Sequence, residues 1–231
     1  MKRGLNSFQL KIIATVLMTI DHIGAILFPG ILVLRIIGRL SFPIFAFLIA
    51  EGYKHTRSVK RYLLRLAVCA VLFQVPDWFF DINYALNIFA TLFFGLCAIL
   101  AYDKLKEKSV ILSWIAALAI SVIAERSGAD YGAYGVFLIL LMFFLSSGSF
   151  YKLLIGMLAL HGAYAAYEMT STYISWGKPV FRHYLQLYSI LSVPLIALYN
   201  NEQGKKMKYF FYLFYPLHLI ILYAIDFIIS C

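Results

Sequence analysis

Residues 15–28 read TVLMTIDHIGAILF, and this stretch decides the fold class. It is apolar throughout except for one adjacent pair, Asp21 and His22. A run of this kind is typical of a helix in a lipid bilayer, where ionisable side chains are costly and therefore mark candidate functional sites. An interpretation of the whole chain therefore has to account for two ionisable side chains in a membrane span.

The whole chain shares the apolar character of this stretch. Of 231 residues, 63% are hydrophobic and 13% are charged, against roughly 45–50% and about 25% in soluble domains. We predict an all-α, polytopic integral membrane helix bundle of about nine transmembrane helices, with a range of about eight to ten, forming one transmembrane domain over residues 1–231. The predicted spans are 10–28, 32–52, 61–80, 86–102, 109–125, 132–148, 151–168, 184–200 and 209–229.

The net charge of +9 comes from basic residues that gather in alternate connections between the spans. By the positive-inside rule this pattern predicts a cytoplasmic N-terminus, and an odd number of spans then puts Cys231 outside. No aromatic and basic groove or nucleic-acid motif accompanies the charge, so we expect no nucleic-acid partner. The three cysteines have no metal-binding or disulfide spacing, so no metal site is predicted. The basic connections hold Lys2, Arg3 and Lys11; Lys54, Arg57, Lys60 and Arg61; Lys104, Lys106 and Lys108; Lys152; and Lys205, Lys206 and Lys208.

Ionisable residues of three predicted spans reach similar depths. With a rise of about 1.5 Å per residue, Asp21 and His22 lie roughly 3 to 5 Å outside the midplane, Arg39 at about the same depth and Arg35 one turn further out. His218 lies close to the midplane, after Pro216, which we expect to loosen the last span. Adjacent helical positions point about 100° apart, so we expect one member of the pair to face Arg39 and the other to face His218.

Other polar residues in the spans have structural explanations. Asp77 and Asp130 stand near helix ends, where a carboxylate caps the helix. His161 lies among small residues and is expected to be a packing histidine. Glu51 is expected to pair with the basic loop that follows it.

The remaining residues, Asp21, His22, Arg39 and His218, combine side chains that can move a proton and bind negative charge. Imidazole takes up and releases a proton near neutral pH, guanidinium holds phosphate or developing oxyanion charge, and a carboxylate orients either of them. Such a set suits acyl transfer, proton coupling or anion transport.

Four motifs follow one another along the chain: Asp21-His22-Ile23, GRLSFPIFAF at 38–47, DYGAYG at 130–135 and FYLFYPLHL at 211–219. Together and in this order they resemble the TraX family, which is associated with N-terminal acetylation of conjugative pilin. The resemblance covers essentially the whole chain. It implies an integral membrane acetyltransferase of the bacterial cytoplasmic membrane, which uses acetyl-CoA as donor and the free amino terminus of a pilin-like or other envelope peptide or protein as acceptor.

The resemblance also implies roles for single residues. His22 is the first choice for the base and His218 the second, Arg39 stabilises the oxyanion or holds phosphate, and Asp21 orients one of these cations. The CoA phosphates are assigned to Lys54, Arg57, Arg61 and Arg65, which topology also explains, and to Arg35, which lies near enough to a membrane face for its side chain to extend there instead.

The depths imply how the two substrates meet. Acetyl-CoA is cytoplasmic while the charges lie outside the midplane, so the donor arm and an extracytoplasmic acceptor would meet in a cavity that passes through the membrane. A proton-coupled transporter or flippase and a non-catalytic assembly factor are the alternative interpretations.

Overall fold

The computed structural model describes residues 4–79, 85–146, 149–180 and 184–230, with the backbone alone at 76–79, 208 and 209. The predicted positions Lys2, Arg3 and Cys231 lie outside the described residues. Within them the chain is helical: α1 Ser7–Ile26, α2 Leu32–Gly38, α3 Ser41–His55, α4 Val59–Phe79, α5 Ile88–Leu105, α6 Val110–Arg126, α7 Gly132–Leu145, α8 Phe150–Trp176, a 3₁₀ helix Tyr184–Ser192, α9 Val193–Ala197 and α10 Lys208–Ser230.

The all-α class is confirmed, and each predicted span coincides with a helical segment. Among the described residues, four segments are long and apolar enough to cross a membrane by length and composition: Ser7–Ile26, Leu32–His55, Ile88–Leu105 and Phe210–Ser230. Gly132–Leu145 and Tyr184–Ala197 are shorter apolar helices. The protein is therefore a helical membrane protein, and the cytoplasmic position of its N-terminus stays a prediction.

The second predicted span is not one continuous helix. Its helix α2 ends at Gly38, and α3 begins at Ser41. The cause is Pro43, which has no N–H to bond the Arg39 carbonyl and whose ring would clash with that carbonyl in a continuous helix. The break leaves Arg39 at the end of α2, where its side chain can turn toward α1.

The eighth predicted span is a 3₁₀ helix for nine residues before the short helix α9. Its buried polar residues Gln186, Ser189 and Ser192 stand three apart, which is the repeat of a 3₁₀ helix. This winding keeps all three in one row, and His161 of α8 bonds the first two. Its Nε2 atom lies 3.1 Å from the Gln186 carbonyl oxygen and 2.8 Å from Ser189 Oγ.

The chain forms two compact units. The first comprises Met1–Phe45 with Gly148–Cys231, and there α1 packs against α2 and α10 while the 3₁₀ helix packs against α2, α8 and α9. The second comprises Ala46–Ser147, where α5 packs against α4, α6 and α7. The single-domain organisation stays a prediction.

Helices α1 and α10 run in the same direction, because their contacts occur in the same order along both helices. Phe8 and Phe211 meet near their N-terminal ends, with ring centroids 6.2 Å apart, and His22 meets His218 further along both helices. A parallel first and last helix is what an odd number of spans requires. This orientation sets the two histidines at the same level.

The start of α1 is fixed by hydrogen bonds. Leu5 forms an isolated parallel bridge with Tyr199. Asn6 follows as the N-cap and accepts a hydrogen bond from the Gln9 N–H, while the Gln9 side chain accepts from the Asn6 N–H. This reciprocal cap sets where α1 begins and hence where Asp21 and His22 fall along it.

Candidate functional site

An ion cluster joins α1 to α2. Asp21 is buried, and Arg39 donates to it twice, from Nη2 to Oδ2 over 2.5 Å and from Nε to Oδ1 over 3.3 Å. Arg35 Nη1 donates to Asp21 Oδ2 over 3.0 Å and to its backbone carbonyl over 2.9 Å. The two arginines, four residues apart, thus hold one carboxylate between them.

The cluster is charged as well as buried. Its side chains are 25% (Arg35), 17% (Arg39) and 12% (Asp21) exposed. Two guanidinium groups against one carboxylate give these three side chains a charge of +1. In surroundings of low dielectric constant such a charge attracts an anionic ligand or developing negative charge.

Two glycines allow α1 and α2 to approach this closely. A Cβ atom built on Gly38 would lie 2.2 Å from Asp21 Cβ and 2.5 Å from Asp21 Cα. One built on Gly24 would lie 2.6 Å from Leu34 Cβ. Neither position accepts a side chain without moving the helices, so both glycines are needed for the arginines to reach Asp21.

The second half of the site is a histidine pair. His22 Nδ1 lies 2.8 Å from His218 Nε2, and His218 Nδ1 lies 2.9 Å from the Phe214 carbonyl oxygen. A carbonyl only accepts, so His218 carries its proton on Nδ1, and the Nε2 of a neutral His218 accepts from His22 Nδ1–H. This assignment leaves the lone pair of His22 on Nε2, which makes no hydrogen bond with any residue that the structure describes.

Aromatic rings of α10 surround the pair. Phe214 stacks on His218 with centroids 5.2 Å apart, and Tyr215 meets the edges of His22 at 6.5 Å and of His218 at 5.7 Å. The helix is continuous through Pro216, so the expected loosening does not interrupt α10. Stacking and the bond to Phe214 fix the ring of His218, which in turn orients His22.

The structure brings five predicted residues together in the first unit. Asp21 faces the arginines and His22 faces His218, the division that the 100° step along α1 predicts. Arg35, which we assigned to the cofactor, is bonded to Asp21 instead of standing apart. The catalytic roles of these residues stay predictions.

The other residues predicted to bind the donor lie in the second unit. Lys54 forms an ion pair with Glu51 over 3.5 Å, as expected for Glu51, and its ammonium group also bonds Ser146. These contacts are a structural use of Lys54. Its role toward the donor stays a prediction.

The arginines near the start of α4 differ from Lys54. Arg57 and Arg61 are exposed. Arg65 lies over the ring of Tyr62, 5.3 Å from its centroid, and its buried Nε has no hydrogen-bond partner among the described residues. Arg65 is thus the member of this group with a buried guanidinium donor that has no partner among the described residues.

The remaining polar predictions divide into three outcomes. His161 is a packing histidine, because Nδ1 bonds the Met157 carbonyl over 2.6 Å and Nε2 bonds the 3₁₀ helix. Asp130 stands one residue before Tyr131, the N-cap position of α7, and the N–H of Ala133 in the first turn donates to Glu125. The capping role of Asp130 stays a prediction. The side chain of Asp77 lies outside the described residues. Among the residues described, no three His, Cys, Asp or Glu side chains are placed to hold a metal ion.

Sequence reasoning overlooked three residues that shape the site. Gly24 and Gly38 are inconspicuous in apolar spans, and their signal is a glycine within a turn of each charged residue. Lys11 was used only as one of the basic residues that predict a cytoplasmic N-terminus. Its signal is the spacing of eleven residues to His22, which is close to three helical turns.

Comparison with known proteins finds one matching family model and two similar proteins. The family model described as TraX protein matches residues 7–226. A probable fimbrial assembly protein of Dichelobacter nodosus is 27% identical over 94% of this chain and 94% of its own length. An uncharacterized protein of Rickettsia prowazekii is 35% identical over 39% of this chain and 35% of its own length. No solved structure matches.

Proposed function

The chain belongs to the TraX family, and from this premise we propose that it is an integral membrane acetyltransferase. The donor is acetyl-CoA, and the acceptor is the N-terminal amine of a pilin-like or other envelope peptide or protein. The similarity to the probable fimbrial assembly protein of Dichelobacter nodosus supports an acceptor related to pili. The bacterial cytoplasmic membrane is the proposed location.

The observation that carries the proposal is the hydrogen-bonded chain from His22 Nδ1 to His218 Nε2 and from His218 Nδ1 to the Phe214 carbonyl. It leaves His22 Nε2 as the basic atom. An amine is protonated near neutral pH and has to lose a proton before it can attack a thioester. This favours His22 over His218 as the base.

The reaction step then balances as follows. The N-terminal ammonium group first releases one proton to solvent. The neutral amine nitrogen then forms a bond to the carbonyl carbon of the thioester, and the second proton that it loses passes to His22 Nε2. The carbon–sulfur bond breaks, the electron pair leaves with the CoA sulfur as a thiolate, and the proton held by His22 can return to that sulfur. His218 is a positioning residue, because it acts through His22.

The ion cluster supplies the positive charge. Arg39 stabilises the oxyanion or holds phosphate, and Asp21 fixes its guanidinium group by accepting hydrogen bonds from Nε and Nη2 with its two carboxylate oxygens. Preorganised cations of this kind act where charge develops in the transition state. The assignment of Arg35, in the first unit, to the phosphates of the donor stays a prediction. The same holds for the separate assignment of Lys54, Arg57, Arg61 and Arg65, in the second unit, and for the cavity that passes through the membrane. No metal is required.

The test uses protein purified in detergent, labelled acetyl-CoA and peptides with free N-termini. His22→Ala is expected to lose roughly 10²–10⁴-fold in transfer rate, the ordinary contribution of a general base, while its thermal midpoint stays near that of the wild type. His161→Gln is the matched control, because it removes a buried histidine that bonds other partners. It should lower stability and keep transfer per folded molecule. Full activity in His22→Ala would remove His22 from the mechanism.

His218 is tested by a pair of substitutions. In His218→Gln the amide oxygen can accept from His22 Nδ1–H, whereas His218→Leu offers no acceptor. We expect His218→Gln to keep more activity and His218→Leu to lose more, with a changed pH profile. Equal loss in both variants would contradict the positioning role.

A proton-coupled transporter or flippase is the second candidate, and the break between α2 and α3 favours it. Interrupted helices beside buried charges are frequent at transporter binding sites. Absence of acetyl transfer, together with substrate uptake that depends on a proton gradient in proteoliposomes, would support this function. Absence of both would leave the assembly factor.

A further inference from the structure

Lys11 is a half-buried cation in the first membrane span with no polar partner among the described residues. It lies on α1 one turn after the helix begins. Its ammonium group stands 5.9 Å from the ring centroid of Phe211 on α10, and it makes no hydrogen bond or ion pair with any residue that the structure describes. A contact with Phe gives an ammonium group only about 0.5–1 kcal/mol at exposed sites, so most of its binding capacity is unused.

Lys11 and His22 both face the seam between α1 and α10. Lys11 contacts Phe211 at one end, and His22 contacts His218 at the other. Their separation of eleven residues corresponds to about 16.5 Å along the helix. On α1, Thr15 stands between them and uses its hydroxyl on the Lys11 carbonyl over 2.8 Å, so it presents little polarity to the seam. The seam therefore has a cation at one end, an imidazole base at the other and a largely apolar stretch between.

This order matches the order of groups in acetyl-CoA. Its phosphates are anionic, its pantetheine arm is extended and only weakly polar, and its thioester lies at the far end. The Lys11 end of α1 is also the end that the basic connections predict to be cytoplasmic, where acetyl-CoA is available. A cation held in a partly buried site binds phosphate more strongly than one in water.

We propose that Lys11 binds the phosphates of the acyl donor and that the pantetheine arm follows the α1–α10 seam to His22. The inference rests on the proposed function and adds a donor site in the first unit, made by a residue that no comparison assigns. The competing explanation is that Lys11 only extends its ammonium group toward the membrane surface.

The test compares two donors with Lys11→Gln, Lys11→Arg and a control, Lys206→Gln. Lys206 is an exposed lysine of the connection that precedes α10. Acetyl-CoA carries the phosphates, and S-acetylpantetheine has the same arm and thioester without them. In Lys11→Gln we expect KM for acetyl-CoA to rise roughly 10- to 100-fold, the loss of one charge-assisted hydrogen bond, with kcat and KM for S-acetylpantetheine unchanged. Lys11→Arg should recover most of the affinity, and Lys206→Gln should behave as the wild type.

A binding measurement separates failure of this inference from failure of the proposed function. CoA itself should raise the thermal midpoint of the wild type and of Lys206→Gln more than that of Lys11→Gln, because stabilisation follows affinity for the folded state. Unchanged KM in Lys11→Gln, an equal rise for both donors, or equal stabilisation by CoA would overturn the Lys11 site. No transfer by the wild type with Lys11-dependent CoA binding would overturn the acetyltransferase and leave the site. No CoA binding by the wild type would overturn both.

Discussion

Gly38→Ala should destabilise the protein, although alanine is ordinarily the better helix former. The added Cβ would stand 2.2 Å from Asp21 Cβ and 2.5 Å from Asp21 Cα. Carbon atoms in contact lie about 3.5 Å apart, so α1 and α2 have to separate by roughly 1.3 Å. Because one of the clashing atoms is backbone, no side-chain rotation relieves the contact.

The magnitude follows from three effects. Overpacking costs about 1–3 kcal/mol, and the higher helix propensity of alanine recovers at most about 1 kcal/mol. A separation of this size also stretches the bonds from Arg35 and Arg39 to Asp21, which now measure 2.5 to 3.3 Å. Breaking a buried ion pair costs about 3–5 kcal/mol. We therefore expect a net loss of at least about 3 kcal/mol.

The assay is the thermal midpoint in detergent, followed by fluorescence-detected gel filtration after heating for a fixed time. For a chain of this size the loss corresponds to a fall of at least about 6 °C. Gly162→Ala is the matched control, because Gly162 lies within α8 and a Cβ there meets nothing within 4 Å. It should leave the midpoint unchanged or raise it. A midpoint for Gly38→Ala at or above that of the wild type would refute the close approach of α1 and α2.

Four further substitutions follow from the contacts and are measured by the same thermal midpoint. Asp21→Asn leaves two guanidinium groups without a carboxylate and should cost about 3–5 kcal/mol of stability. Arg39→Met leaves Asp21 and Arg35 as a neutral pair and should cost less. A larger loss in Arg39→Met than in Asp21→Asn would contradict the net charge of +1 on the cluster. Ser192→Ala should stabilise the protein by about 1 kcal/mol, because Ser192 Oγ is buried with no hydrogen-bond partner among the described residues. A lower midpoint would contradict this and indicate that Oγ makes a hydrogen bond. Asn87→Ala should cost about 2 kcal/mol of stability, since it removes the cap of α5 and the hydrogen bond from Asn87 Nδ2 to the Ala70 carbonyl. An unchanged midpoint would rule out that cap as a stabilising contact.

The helical segments could be predicted because apolar runs and short polar connections carry the signal. What the sequence did not reveal was the local winding. The break before Ser41 depends on Pro43, which lies near the start of α3 where proline is compatible with a helix. The 3₁₀ helix depends on a row of polar residues that pack against α8, and a hydropathy profile does not register such a row.

The two halves of the site differed in how far they could be predicted. Asp21 and the arginines are 14 and 18 residues apart on consecutive spans, so counting residues from the ends of each span sets them at one level. The histidines are 196 residues apart, and their contact requires α1 and α10 to be parallel neighbours. Counting residues along each span predicted that the two histidines lie at similar depths in the membrane. It could not give the direction of the hydrogen bonds, on which the choice between His22 and His218 depends.

That direction bears on the choice between an enzyme and a proton pathway. A relay has to accept a proton at one end and release it at the other. Here the chain from His22 through His218 ends on the Phe214 carbonyl, which accepts a hydrogen bond but does not take up and pass on a proton. A proton that binds His22 Nε2 therefore leaves from the same atom. Taking a proton from one group and returning it to another on the same side is what a base in acyl transfer does. The closed end of the pair thus favours acetyl transfer over proton coupling.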